Sequence, residues 1–293
     1  MSTERRVIIH EPLWEPGQAL TDPCFAPLRL PDNRHADWRE FRIFVDFFRK
    51  GGHQGADLTG IFSPKFRLKS GLTGQDFLQF SSRQLDADVC FINVFPRLLY
   101  TSYNVWMQGE SVHPGLTERA QGLLNAAGID WDLSTVPRHD KRTLCYGNFW
   151  VATPAFWEAF VGKVLDPIAR FLEETPEAPI GVSVFDPAKY IVKAPYLPFI
   201  VERLFSTFLS LNPSYRTAPY PLPPDAAMMS CVNEFQQVSL RHLQPAVDSA
   251  DAKGSFDEDL IKTQAVLGQL STIYSDLYYQ IHPHPHLPAP PRS

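Results

Sequence analysis

Three short apolar runs set the terms of the fold: Val7-Ile8-Ile9, Leu58-Thr59-Gly60-Ile61-Phe62 and Val89-Cys90-Phe91-Ile92. Runs of this length, rich in β-branched and aromatic residues and closed by Pro, Asn or Ser, read as buried strands. Helical patterns lie between them. Trp38, Phe41, Phe44, Val45 and Phe48 recur at three- and four-residue steps after Asp32-Asn33, which reads as an N-cap region, and Gly51-Gly52 stops the pattern. Thr73-Gly74-Gln75-Asp76 opens a second helix through Phe80. Strand, helix, strand, helix, strand predicts a mainly parallel sheet flanked by helices, with the three runs side by side.

The later chain adds a helix over 116–127, a strand-like aromatic stretch over 143–151, and helices over 155–174 and 199–211. Residues 212–224 are dense in Pro and Tyr and read as a linker; from 225 to 282 there is no strand signal, and two or three helices are expected. The expected organisation is an α/β domain over 1–215, a helical C-terminal extension over 216–282 and a disordered Pro-rich tail over 283–293. The 27 prolines and 13% aromatic residues suit a loop-rich α/β enzyme rather than a helical bundle.

The formal charge of -5 argues against an overall nucleic-acid footprint, so no nucleic-acid partner is expected. Cys24, Cys90, Cys145 and Cys231 have no CxxC spacing and read as reduced thiols of a cytoplasmic protein. The polar start, Met1 to Arg6, carries no signal-peptide pattern. No apolar run approaches the ~20 residues of a membrane span, so any membrane association would be peripheral.

The chain has no P-loop, no GxGxxG, no HExxH and no GxSxG, which removes the main support for ATPase, dinucleotide and common hydrolase readings. Asp86-Ala87-Asp88 has the letters of a metal-holding DxD but precedes its strand, whereas a ligand is met at strand carboxyl ends; Asp130-Trp131-Asp132 has no strand before it. No metal ligands are therefore assigned. Polar residues at the expected carboxyl ends are His10, Ser63 with Lys65 and Lys69, and Asn93; the cations suit a phosphate. Over 103–115, amides, a carboxylate, an imidazole and aromatics crowd together, a mixture that suits sugar, and Glu110 and His113 stand three apart as a base pair for a hydroxyl proton. A capped loop with structural hydrogen bonds explains the same letters. Asn148 precedes the helix of Phe156-Trp157 and is a further ligand candidate. The histidines of 282–286 alternate with proline, which gives no fixed metal geometry.

With those residues in view, the chain resembles an uncharacterised family of bacterial proteins associated with polysaccharide and O-antigen biosynthesis. The matching pieces are 60–66 (Gly-Ile-Phe-Ser-Pro-Lys-Phe), 69–73, 87–89, Gln108-Gly109-Glu110 with 113–116, 148–152 with 154–157, and Glu202-Arg203-Leu204, which together span roughly 5–215. Their order is similar, more loosely, to GT-A glycosyltransferases, from which the missing DxD is a departure. The resemblance implies a GT-A-like, Rossmann-like sheet and sugar transfer from a nucleotide-sugar donor to a glycan or lipid-linked glycan acceptor. On that reading His10, Ser63, Lys65, Lys69, Asn93 and Asn148 meet the donor, and Glu110 with His113 the acceptor hydroxyl. The alternatives are a non-catalytic carbohydrate-binding or assembly protein of the same pathway, or another sugar- or phosphate-modifying enzyme.

Overall fold

A computed structural model describes residues 4–283 except 31, 33 and 190–192. Six strands form one sheet: β1 (Val7–Leu13), β2 (Ala26–Arg29), β3 (Leu58–Ile61), β4 (Val89–Phe91), β5 (Trp150–Ala152) and β6 (Thr217–Pro219), in the order β2-β1-β3-β5-β4-β6. β1 pairs in parallel with β2 and β3, and β4 with β6; β5 runs antiparallel between β3 and β4. The three runs expected to be strands thus share one sheet and one direction. They are not all side by side, because β5 separates the second from the third.

Two expectations change here. The first strand does not stop at Ile9: His10 pairs with Ile61 of β3 and Ala26 of β2, and the strand continues through Pro12 to Leu13. Pro12 is tolerated because β3 ends opposite His10, so the missing N–H faces no partner. The stretch after 215 is not a linker. β6 closes the sheet against β4, and Asp88 fixes its start by accepting the Arg216 backbone N–H at 2.8 Å, so the sheet extends past the expected domain boundary.

The helices divide between the two faces because strand side chains alternate. Helix α1 (Glu40–Arg49) follows β2 through a 3-10 turn at Ala36–Trp38; its N-cap is Arg39, not the expected Asp32. Asn33 lies outside the described residues. Helices α2 (Phe66–Ser70) and α3 (Gly74–Ser82) follow β3, the latter with the expected Thr73–Asp76 capping box. After β4 come α4 (Leu98–Thr101), α5 (Val105–Val112) and α6 (Leu116–Ala126). After β5, α7 (Pro154–Trp157) runs through a π-helical stretch at Glu158–Leu165 into α8 (Asp166–Glu174), followed by α9 (Pro179–Ser183) and α10 (Tyr196–Leu211). The chain ends in α11 (Ala226–Met229), α12 (Glu234–Lys253) and α13 (Glu258–Ile281).

On one face Trp150 of β5 is sandwiched between Phe44 of α1 at 5.1 Å and Phe205 of α10 at 5.4 Å. On the other, Phe62 meets Phe66 and Phe77 at 4.9 and 5.3 Å, with Phe149 against Phe66 at 5.1 Å. Asp166, buried at the π-to-α junction, locks α1 to α8 by accepting Arg49 Nε at 2.6 Å and Arg170 Nε at 2.8 Å. Helices α12 and α13 pack on α4 and α5 rather than on the sheet. No helix among the described residues is long and apolar enough to cross a membrane. Of the expected tail, residues 284–293 lie outside the described residues.

Candidate functional site

In an open α/β sheet the groups free to meet a ligand lie beyond the carboxyl ends of the parallel strands, where strand order reverses. Here the chain leaves β1 to one side for β2 and crosses back to β3 on the other, so that edge carries Trp14, Leu30, Ser63 and the loop ahead of β5. The residues that meet there are only in part those the sequence singled out.

At the centre is the turn before β5. Gly147 and Asn148 both take positive φ, 84° and 55°, and Asn is one of the few non-glycine residues that adopts this conformation readily. Asn148 is 7% exposed, and its Nδ2 is buried with no hydrogen-bond partner. Glu202 of α10, 22% exposed at its side chain, holds the turn by accepting the Gly147 N–H at 2.9 Å. Its neighbour Arg203 forms a loose ion pair with it rather than a hydrogen bond. The Arg203 guanidinium, 4.0 Å from the Glu202 carboxylate, spends its donors on Val105 O, Phe199 O and Gln108 Oε1 at 3.1, 2.7 and 2.6 Å.

The other two members come from α1 and α2. Glu40, half-buried at the first position of α1, has its carboxyl held above the usual carboxylate range by burial; a bond to its own backbone opposes this, the charge of Glu202 adds to it, and Lys69 and Arg39 oppose it. Lys69 also lies 6.0 Å from the Phe149 ring, next to Asn148 in sequence. Arg39 has φ 50° and ψ -132°, a conformation a non-glycine side chain adopts only under constraint. From there it lines a surface cavity of about 170 Å³ with Trp14, Leu30, Arg34, Arg42 and Lys50. Arg34 and Arg42 are matched by Asp32 and Asp46 at 3.0 and 2.7 Å, and Arg39 and Lys50, in no ion pair among the described residues, add positive charge. Arg39-Glu40 therefore joins a cationic cavity to a cluster of two carboxyl groups, an ammonium and an unpartnered amide.

The expected site residues are spread more widely. Lys69 and Asn148 fall within this cluster. Ser63 sits at the carboxyl end of β3, where its hydroxyl accepts the Lys65 N–H at 3.2 Å, and the Lys65 side chain is exposed at the start of α2. Asn93, 8% exposed, follows β4 and closes an Asx turn by accepting the Phe95 N–H at 3.1 Å. His10 is not at the strand end: it lies within β1, its ring 4.8 Å from Phe47, and burial lowers its pKa. The reason is that β1 runs four residues further than its apolar run. Glu110 caps α6, accepting the N–H groups of Gly115 at 2.6 Å and Thr117 at 3.1 Å. His113 faces away from it, with Nδ1 2.7 Å from Lys189 O and its ring stacked on Phe199 at 3.9 Å. Burial, with the charge of Arg203, lowers its pKa to about 4.

Asp86 and Asp88 lie at the amino end of β4, against Arg216 at 3.7 and 3.4 Å. Asp132 caps a 3-10 turn at Leu133–Thr135. Among the described residues no three His, Cys, Asp or Glu side chains converge as a metal-binding group. Glu40 and Arg39 carried no signal in the sequence, since nothing local shows that a helix start will face α10. Glu202 stood in a matching piece, without an assigned role. Comparison with protein-family models, with curated proteins and with solved structures returns no match.

Proposed function

We propose that the protein is a glycosyltransferase of GT-A type, which moves a sugar from a nucleotide-sugar donor to a glycan or lipid-linked glycan acceptor in bacterial polysaccharide biosynthesis. The observation that carries this is the placement of Glu40 within reach of the charges of Glu202 and Lys69, with Asn148 between the Gly147 that Glu202 holds and the Phe149 that Lys69 approaches, at the carboxyl edge of a mainly parallel sheet. Sugar hydroxyls need both donors and acceptors; the Asn148 amide has an unused N–H, and Glu202, which holds the preceding Gly147 N–H, and Glu40 supply carboxylate oxygens. A departing nucleoside diphosphate needs positive charge where its own develops, and Lys69 with Arg39 supplies it. A carboxyl group whose pKa lies above the ordinary range is better matched to taking an acceptor proton near neutrality, which favours Glu40 over the capping Glu110 as the base.

The test is titration of a nucleotide-sugar panel beside acceptor-dependent release of nucleoside diphosphate, with and without EDTA. Lys69→Ala is expected to weaken donor binding by about 1.5–3 kcal/mol. Glu40→Gln is expected to cut turnover by about 10²–10⁴ with donor affinity nearly unchanged. Glu110→Gln is expected to cost about 1 kcal/mol of stability and little else. Donor binding without release in any acceptor would replace this reading with a carbohydrate-binding role; no donor binding at all would refute it.

A further inference from the structure

Arg97 is a half-buried cation that makes no ion pair among the described residues. It follows β4 at the start of α4, and one bond, from Nη1 to Ser230 O at 3.1 Å, ties it to the turn after α11. The other buried or half-buried arginines among the described residues are satisfied. Arg42, Arg49, Arg119, Arg138 and Arg216 each meet a carboxylate, and Arg5 and Arg203 each give at least three hydrogen bonds.

The groups whose negative charge would reach Arg97 are the Cys231 thiol and the Tyr279 and Tyr146 phenols, with no carboxylate among them. Burial raises the pKa of all three, so they are neutral near pH 7 and leave the guanidinium uncompensated. Burial lowers the pKa of Arg97 as well, but a guanidinium stays protonated throughout the range in which proteins fold. A charge taken partly out of water costs free energy unless a counter-charge replaces the water. A strut to one carbonyl needs only an N–H, which a neutral amide provides without that cost.

The position says which ligand would use the charge. Arg97 lies beyond the carboxyl end of β4, and Tyr146, which its charge reaches, immediately precedes the Gly147-Asn148 turn. Lys69 follows β3, and because β5 separates β3 from β4 the two strand ends stand about 10 Å apart. In the proposed transfer Lys69 and Arg39 serve the donor diphosphate. A lipid-linked glycan brings a further phosphate, the ester that joins sugar to lipid, and it needs a cation of its own. A guanidinium suits it, since paired N–H groups match two phosphate oxygens at once.

We propose that Arg97 is a phosphate subsite beside the candidate centre and that it takes the phosphate ester of the acceptor. The assignment to the acceptor rests on the proposed transfer; the binding of phosphate by Arg97 does not.

Cys231 reports on the subsite in the unaltered chain. It is half-buried, it follows the Ser230 that Arg97 holds, and the Arg97 charge favours its thiolate. An anion on Arg97 therefore slows alkylation both by covering the thiol and by cancelling that charge. With iodoacetamide and peptide mass spectrometry, ~10 mM inorganic phosphate is expected to slow alkylation of Cys231 by about threefold or more and to leave the exposed Cys24 unchanged. Octyl phosphate is expected to act at lower concentration, octanol and acetate to have no effect, and uridine and guanosine diphosphates to be no more effective than phosphate. Arg97→Gln is expected to abolish protection, Arg97→Lys to retain part of it and Lys69→Ala to retain it whole, each with unchanged circular dichroism. No protection of wild-type Cys231 by phosphate, protection that survives Arg97→Gln, or equal protection by acetate would overturn the phosphate subsite. Octyl phosphate no better than inorganic phosphate, or protection by a nucleoside diphosphate that Lys69→Ala removes, would overturn its assignment to the acceptor. If the wild type binds no donor while phosphate still protects Cys231, the transferase reading falls with the acceptor assignment and the phosphate subsite stands.

Discussion

Acidification between pH 6.5 and 5 should weaken this fold steeply, and the cause is two buried histidines. His139 is fully buried; its Nδ1 accepts the Val105 N–H at 3.3 Å and its Nε2 lies 3.0 Å from Ser210 Oγ. Protonation would set an N–H against the Val105 N–H, and burial with the Arg138 charge lowers the pKa to about 3. His113 is 3% exposed, with a pKa of about 4. In the unfolded chain both sit near 6.5. The unfolded state therefore binds protons that the folded state refuses, and stability present above pH 6.5 is lost as pH falls towards the folded values. At pH 5 each unfolded histidine is about 97% protonated and each folded one almost neutral, so each costs about 2 kcal/mol and the pair about 4 kcal/mol relative to pH 7.5.

His10 acts in the same sense, Glu40 in the opposite one. Asp76 and Asp132, held low by bonds from Thr73 and Ser134, titrate in a lower window and leave this one to the imidazoles. Urea unfolding at pH 7.5, 6 and 5 measures the loss. His139→Gln should lower stability at pH 7.5 through its lost fit, yet shrink the further drop to pH 5 by about 2 kcal/mol. A wild type equally stable at pH 7.5 and 5, or a His139 variant that keeps the full drop, would refute the reasoning.

Asp166→Ala removes the buried acceptor that joins α1 to α8; because Arg49 keeps Glu173 at 2.9 and 3.0 Å and Arg170 is 65% exposed, it should cost about 1–3 kcal/mol in urea unfolding, with Asp166→Asn losing less. Gly60→Ala should cost about 1–3 kcal/mol or more, because a Cβ there would lie 2.2 Å from the Trp150 carbonyl oxygen of β5; Gly17→Ala, where nothing lies within 4 Å, separates this clash from the φ penalty that Gly17 carries alone.

Much of the architecture was determined by the sequence by itself. Three runs of three to five mostly apolar residues cannot bury themselves as amphipathic helices, and alternation with helical periodicity leaves a parallel sheet as their home. The capping box at Thr73 is equally local, since Thr73 and Asp76 satisfy each other's backbone within one turn. Strand order was decided only by tertiary packing: β5 is three residues long, and its antiparallel place between β3 and β4 depends on Gly60 letting two backbones approach. The same holds for β6, whose pairing is set by Asp88, 128 positions away from Arg216. The candidate site divides in the same way. Lys69 and Asn148 lie next to elements whose ends can be read along the chain. Glu40 and Glu202 are 162 positions apart, and Glu110 and His113 looked paired because they are three apart. A carboxylate's role depends on which N–H groups and charges face it, and those are set by folding of distant segments, not by neighbours in sequence.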